Sequence, residues 1–215
     1  MKLLRAAAVI AGLLLAGTAA EAHPHVFIDA RAEIVFDKAG KIESIRNIWQ
    51  FDEAFTAFAV QGLDADEDGK LTDKELAPLA KVNIESLHEF GFFTWLTIDG
   101  KEHDFVTPTE YWLEFHGGRL TLFFTLPLHA AATVGTKTML EIFDPEYFVA
   151  FSFVKDHPVS LHDAPAGCVA HLQPPGELDD KTMAVLNSIP IDQPDLPPEL
   201  QEAAAVLANT ITLSC

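Results

Sequence analysis

The sequence predicts a mixed α+β fold: antiparallel β-hairpins forming a sheet, one helical insertion, a C-terminal helix and a closing disulfide. Three observations favour it. Apolar residues alternate along several segments, which is typical of half-buried strands. Residues 52–93 carry a helical apolar spacing on both sides of an acidic loop. Cys168 and Cys215 are the two cysteines of the chain, and its sixteen phenylalanines supply a large apolar area for a core.

The strands are predicted as four hairpins, each with turn-forming residues at its tip. In the first, Val26, Ile28, Ala30, Ala32, Ile34 and Phe36 fall on one face. The four hairpins cover 25–50, 93–106, 109–126 and 137–153, with turns at 37–40, 99–100, 116–118 and 144–145.

Helices are predicted at 52–63, where Asp52 can cap the start, and from Asp73 to about Phe93. Six prolines between Gln173 and Pro198 indicate a loop with one short helix at 179–187. A last helix at 198–209 and a strand at 210–213 complete the chain.

The acidic loop, Asp64 to Glu75, has the pattern of a calcium-binding loop. Its six ligand positions are Asp64, Asp66, Asp68, Lys70 (through the backbone carbonyl), Thr72 and Glu75. Gly69 permits the sharp turn, and Leu71 can anchor the loop to the core. With its flanking helices the segment resembles the EF-hand family, which implies Ca²⁺ binding. The alternative is an acidic, solvated turn between two helices.

No second stretch repeats this ligand pattern. Because EF-hands commonly work in pairs, a solitary loop is expected to bind weakly, to pair across a dimer, or to serve structure.

Residues 1–22 are predicted to be a signal peptide, with Lys2 and Arg5 before an apolar stretch and Ala20-Glu21-Ala22 as the cleavage site. The mature chain, 23–215, is then a single periplasmic domain that includes the helical segment 52–93. Its later segments all carry charge, so we expect no membrane insertion after cleavage. Its formal charge, with 12 basic and 31 acidic residues, is −19, which disfavours nucleic acid as a partner.

The two cysteines have two interpretations. In an oxidising compartment an even pair is most simply a disulfide, here between Cys168 and Cys215. The alternative is a metal half-site formed by Cys168 and His171.

Three segments together resemble the DUF1007 family: His23-Pro24-His25-Val26-Phe27-Ile28-Asp29 after the signal peptide, the run from Phe143 to Phe151, and the terminal cysteine. This bacterial periplasmic family often accompanies nickel- and cobalt-type metal permeases. The resemblance implies metal handling and a membrane metal permease as partner, without implying a mechanism.

Cleavage after Ala22 would leave His23 with a free amine beside its imidazole, and His25 adds a second imidazole. These donors suit Zn²⁺, Ni²⁺, Co²⁺ or Cu²⁺. Spacing does not select further ligands. The other candidates are His103, His116, His129, His157 and His162, with Asp104 and Asp163 as carboxylate partners, whereas His88 and His171 are expected to be structural.

We therefore expect a calcium-binding exported protein that serves a transition-metal transport system and catalyses no reaction. One alternative is a calcium-stabilised interaction module without a transition metal. A second is a copper-dependent enzyme built on the N-terminal histidine, which would need a distant second histidine. The sequence distinguishes no carboxylate as a general acid or base.

Overall fold

The computed structural model describes residues 24–189 and 196–215, in which the chain forms four α-helices and eleven β-strands. The mixed α+β class is therefore confirmed. The helices are α1 (Glu53–Ala59), α2 (Asp73–Glu89), α3 (Asp180–Asn187) and α4 (Pro198–Ala204). The strands are β1 (Val26–Phe36), β2 (Ile42–Phe51), β3 (Thr94–Ile98), β4 (Lys101–His103), β5 (Glu110–His116), β6 (Arg119–Ala132), β7 (Thr138–Ile142), β8 (Val149–Phe153), β9 (Val159–His162), β10 (Val169–Gln173) and β11 (Asn209–Ser214).

The strands form two sheets. Sheet A has the order β5-β6-β2-β1-β8, and β9 also pairs with β1. Sheet B has the order β10-β11-β7-β3-β4 and is antiparallel throughout. The main hydrophobic cluster draws residues from both sheets, for example Trp49 of sheet A and Leu140 of sheet B.

The first predicted hairpin is present as β1 and β2. All six residues expected on the inner face of β1 are buried. At the turn, the Asp37 carboxylate accepts hydrogen bonds from the backbone N–H groups of Ala39 and Lys41, and Gly40 has a φ of +74°. The local side-chain chemistry thus fixes this turn where the sequence predicts it.

The fourth predicted hairpin is wrong. β7 lies in sheet B, whereas β8 crosses to sheet A and pairs with β1 in parallel, as does β9. The Asp144 carboxylate accepts hydrogen bonds from the N–H groups of Glu146 and Val149, and Tyr147 adopts a φ of +53°. This local turn redirects the chain between sheets, so the expected all-antiparallel arrangement is corrected to a mixed one.

Helices flank the acidic loop on both sides. Asp52 caps α1 by accepting from the N–H of Phe55, and Thr72 and Glu75 form a reciprocal capping box at the start of α2. The second helix is shorter than predicted. It ends at Glu89 because Gly91 and Phe92, with φ of +59° and +56°, turn the chain out of the helix into a 3₁₀ turn at Gly91–Phe93.

Helix α2 packs on sheet A through Leu76, Ala80 and Ile84, which are all buried. The loop that precedes it is attached to the same core, because Leu63 and Leu71 pack against the cluster at either end of the acidic run. The predicted anchoring role of Leu71 thus agrees with its position.

The C-terminal part forms a second, smaller hydrophobic cluster and one edge of sheet B. Leu186, Ile189, Leu196 and Ala204 make up the buried part of this cluster. A disulfide joins Cys168 to Cys215, 47 residues apart, next to the paired strands β10 and β11. The predicted bridge is confirmed. The Cys168–His171 half-site is excluded, since a disulfide sulfur is not the thiolate that a metal requires.

Candidate functional site

Three carboxylates of the acidic loop converge on one point. Asp64, Asp66 and Asp68 each place a ligand oxygen within 4.8 Å of the others. In residues 24–189 and 196–215 this is the one group of three or more His, Cys, Asp or Glu side chains with that geometry. Two of the three residues are exposed, so the cluster is accessible to ions from solvent.

Backbone hydrogen bonds hold this cluster together. Asp64 accepts from the N–H groups of Asp68 and Gly69, at 3.1 and 2.9 Å, and Asp68 accepts from that of Lys70 at 2.8 Å. Gly69 has a φ of +79°, the left-handed region in which glycine avoids the strain of a side chain. The glycine therefore permits the bend that turns these N–H groups toward the carboxylates.

Glu75 closes the loop from the first turn of α2. One of its oxygens accepts from the N–H of Ala65 at 2.8 Å, and the other accepts from the N–H and the hydroxyl of Thr72 at 2.9 and 2.7 Å. The hydrogen bonds from Thr72, followed by that from Ala65, lower the pKa of the Glu75 carboxyl. Glu75 is thus held as a carboxylate beside the start of the loop, although it is not among the three clustered side chains.

The donor set determines which ion suits the loop. Carboxylates and a backbone carbonyl are hard oxygen ligands, which favour Ca²⁺ or Mg²⁺ over softer transition metals. The twelve residues of the loop hold six acidic side chains, four of them at ligand positions, so a bound cation relieves their mutual repulsion.

The N-terminal histidines are only partly described. His23 lies outside the described residues. His25 is half-buried, and its ring centroid lies 4.6 Å from that of Phe148. Its backbone N–H donates a hydrogen bond to the backbone carbonyl of Phe148 at 2.8 Å. These contacts place His25 against the segment that enters β8.

The other histidine candidates are spread over the molecule. His103 ends β4, His116 ends β5, His129 lies in β6, and His157 lies in the turn before β9 with a φ of +50°. His162 of β9 contacts the Glu33 carboxylate at 3.3 Å and the Ser160 hydroxyl at 3.2 Å. Asp163 follows His162 outside the strand.

Sequence reasoning missed one pairing of histidines. His88 near the end of α2, which was expected to be structural, lines the same cavity of about 200 Å³ as His103 and Asp104. This juxtaposition joins a helix to a distant strand, so sequence spacing could not indicate it.

The burial of the Asp144 carboxyl is a second feature that the sequence did not predict. Its side chain is buried, with 5% exposed, and desolvation raises the pKa of its carboxyl despite the two hydrogen bonds from Glu146 and Val149. From the sequence, residues 144–145 were predicted only as a hairpin turn, which gives no indication that the Asp144 carboxyl is buried.

Residues 8–215 match the family described as "Protein of unknown function (DUF1007)". The chain belongs to the DUF1007 family. The resemblance inferred from the N-terminal histidines, the Phe143–Phe151 run and the terminal cysteine is thereby confirmed.

Two relatives extend this finding. A protein of Haemophilus influenzae, named "Uncharacterized protein", is 24% identical over 199 residues, covering 90% of this chain and 91% of the relative. An "Uncharacterized 15.5 kDa protein in trpE 3'region" of Spirochaeta aurantia is 31% identical over 109 residues, covering 50% of this chain and 78% of the relative.

Within the parts of the chain that the structure describes, none of the helices has both the length and the apolar character needed to cross a membrane.

Proposed function

We propose that this protein is a calcium-binding, exported accessory component of a transition-metal transport system, and that it is not an enzyme. The observation that carries the calcium part is the convergence of Asp64, Asp66 and Asp68 within 4.8 Å. Glu75 and the backbone carbonyl of Lys70 would complete the shell, with Thr72 acting directly or through a water.

The loop supports this assignment because it is largely preorganised. Its carboxylates are already held by the N–H groups of Asp68, Gly69 and Lys70. Leu63, directly before the loop, and Leu71, within it, pack against the core. A cation would therefore bind without first folding the segment, and it would connect the end of α1 to the start of α2.

Calcium binding is tested by calorimetric titration of wild type, Asp64→Asn and Glu67→Gln. Glu67 lies in the same loop but at a non-ligand position, so Glu67→Gln removes one charge and no ligand. We expect wild type to bind one Ca²⁺ with a Kd of roughly 10⁻⁵ to 10⁻³ M. Asp64→Asn should weaken binding at least about tenfold and Glu67→Gln far less. Equal losses in both variants would mean that general charge attraction, and not a ligand shell, holds the ion.

The transport part of the proposal is supported by the histidines that start the predicted mature chain and by the family. His23 would chelate a divalent transition ion (Zn²⁺, Ni²⁺, Co²⁺ or Cu²⁺) through its amine and imidazole, with His25 as a further ligand. The partner would be a membrane metal permease. The disulfide between Cys168 and Cys215 fits an oxidising compartment such as the periplasm.

Competition titration with zinc, nickel and copper tests this site in the protein that begins at His23. Replacing His23 and His25 by alanine should weaken binding at least about tenfold. The matched control replaces His88 and His103, which share a cavity, by alanine. If the control loses affinity and the N-terminal variant keeps it, the metal site belongs to that cavity.

The same titrations separate the alternatives. Calcium binding with no measurable transition-metal affinity would favour a calcium-stabilised interaction module. Copper-dependent oxidation of added substrates would favour the N-terminal-histidine enzyme and contradict the non-catalytic proposal.

A further inference from the structure

A cavity of about 390 Å³ lies under the two helices that flank the acidic loop. Its walls come from β1, β2, α1, α2 and the segment between Asp144 and Val149. Liquid water occupies about 30 Å³ per molecule, so this space is about thirteen times the volume of one water molecule in the liquid. Protein interiors are close-packed, and a space of this size between regular elements is unusual for a packing defect.

Aromatic rings dominate the walls. Trp49, Phe51, Phe55, Phe93 and Phe148 all line the cavity. Phe51 and Phe55 pack on each other with centroids 4.7 Å apart, and Trp49 contacts Phe93 at 6.5 Å. These side chains are held by their own neighbours, so the apolar walls are formed without an occupant.

The charges around the cavity select against anions. Asp144 and Glu146 line it, and its lining contains no lysine, arginine or histidine among the described residues. Asp144 is buried, and Glu146 directs its carboxylate to the Leu196 N–H and the Gln201 side chain. An anionic occupant would have no cation to pair with and a carboxylate nearby.

The mouth of the cavity is marked by exposed lining residues. Phe90, at the end of α2, is 51% exposed, and Ser86, one turn earlier, is also exposed. A small molecule can therefore enter from solvent without disturbing the core, and a bulky residue at Ser86 would obstruct its path.

We propose that this cavity binds a small, mainly apolar molecule that is neutral or cationic and contains about fifteen non-hydrogen atoms. This activity goes beyond metal binding and does not depend on it.

The test uses the neutral, naphthalene-based fluorophore prodan, titrated into the folded protein. We expect a saturable blue shift at one equivalent. Ser86→Phe should weaken binding about tenfold, whereas Glu85→Phe, the adjacent exposed residue that does not line the cavity, should leave it unchanged.

The anionic fluorophore 8-anilinonaphthalene-1-sulfonate, of similar size, should bind at least about tenfold more weakly than prodan. The proposal is overturned by the absence of saturable prodan binding, by equal affinity in Ser86→Phe and wild type, or by equal affinity for the two fluorophores. Thermal melts of each variant establish that it is folded.

Discussion

Two carboxylates have pKa values shifted in opposite directions. Hydrogen bonds from Thr72 and Ala65 lower the pKa of Glu75 from its ordinary value of 4.5, because they stabilise the charged form. Burial raises the pKa of Asp144 from 3.8, because desolvation penalises the charged form more than its two hydrogen bonds favour it. The two groups should therefore affect stability differently as the pH falls.

Urea denaturation without calcium measures these contributions. Glu75 stabilises the fold above pH 4.5, and this contribution should be lost as pH falls through its lowered folded pKa, so the gap between wild type and Glu75→Gln should narrow. Asp144 should do the reverse. As the pH falls, Asp144 binds a proton at a higher pH in the folded protein than in the unfolded chain. Wild type should therefore gain stability relative to Asp144→Asn as the pH falls toward 3.8. Shifts of the same sign in both comparisons would contradict these assignments.

For single residues, the sequence was informative where the interacting side chains are neighbours in the chain. The three clustered aspartates lie within five consecutive residues, and one turn with a glycine brings them together. The environment of Asp144 could not be predicted, because this residue shares a cavity lining with residues of β1, β2 and α2, which come from distant parts of the chain.

Among the elements, the first three of the four predicted hairpins were correct. The turn at Asp37 is fixed by hydrogen bonds to its own neighbours, and Asp99-Gly100 turns β3 into β4. The predicted hairpin at 137–153 was wrong because apolar alternation predicts a strand but does not indicate which strand it pairs with. β8 has the same apolar pattern whether it pairs with β7 or, as observed, with β1.

Strands β9 and β10 were missed for a related reason. β9 has four residues, and β10 presents few buried side chains, so neither gives a clear alternation. Their pairing with β1 and β11 depends on long-range contacts.

The disulfide should stabilise the C-terminal part of the fold. It closes a separation of 47 residues, which in the chain-entropy description contributes about 4 kcal/mol to the free energy of unfolding. Urea denaturation of the variant with both Cys168→Ser and Cys215→Ser should show most of this loss. Adding reductant should destabilise wild type to a similar extent and leave the double variant unaffected. If reductant also destabilised the double variant, the loss of stability in wild type could not be assigned to this disulfide.

For the whole molecule, export is the assumption on which the N-terminal metal site depends. We expect the mature protein to begin at His23, because Ala20 and Ala22 place small residues at the cleavage site. Intact mass spectrometry of the protein recovered from the cell envelope measures this start. A start two or more residues away would remove the chelate of amine and imidazole and with it the proposed transition-metal site.

The central claim is that calcium binds the loop from Asp64 to Glu75 and stabilises the fold that surrounds it. Because α1 and α2 are joined through this loop and both pack on the core, binding should be linked to global unfolding. At about 100 times Kd, calcium should add roughly 2.7 kcal/mol, which corresponds to about 5–10 °C in Tm for a chain of this size.

The most direct measurement is a thermal melt with calcium and with chelator for wild type and Glu75→Gln, with Lys70→Ala as the control that keeps the backbone carbonyl. We predict a calcium-dependent rise in Tm for wild type and Lys70→Ala, and loss of most of that rise in Glu75→Gln. An equal rise in wild type and Glu75→Gln would contradict the claim.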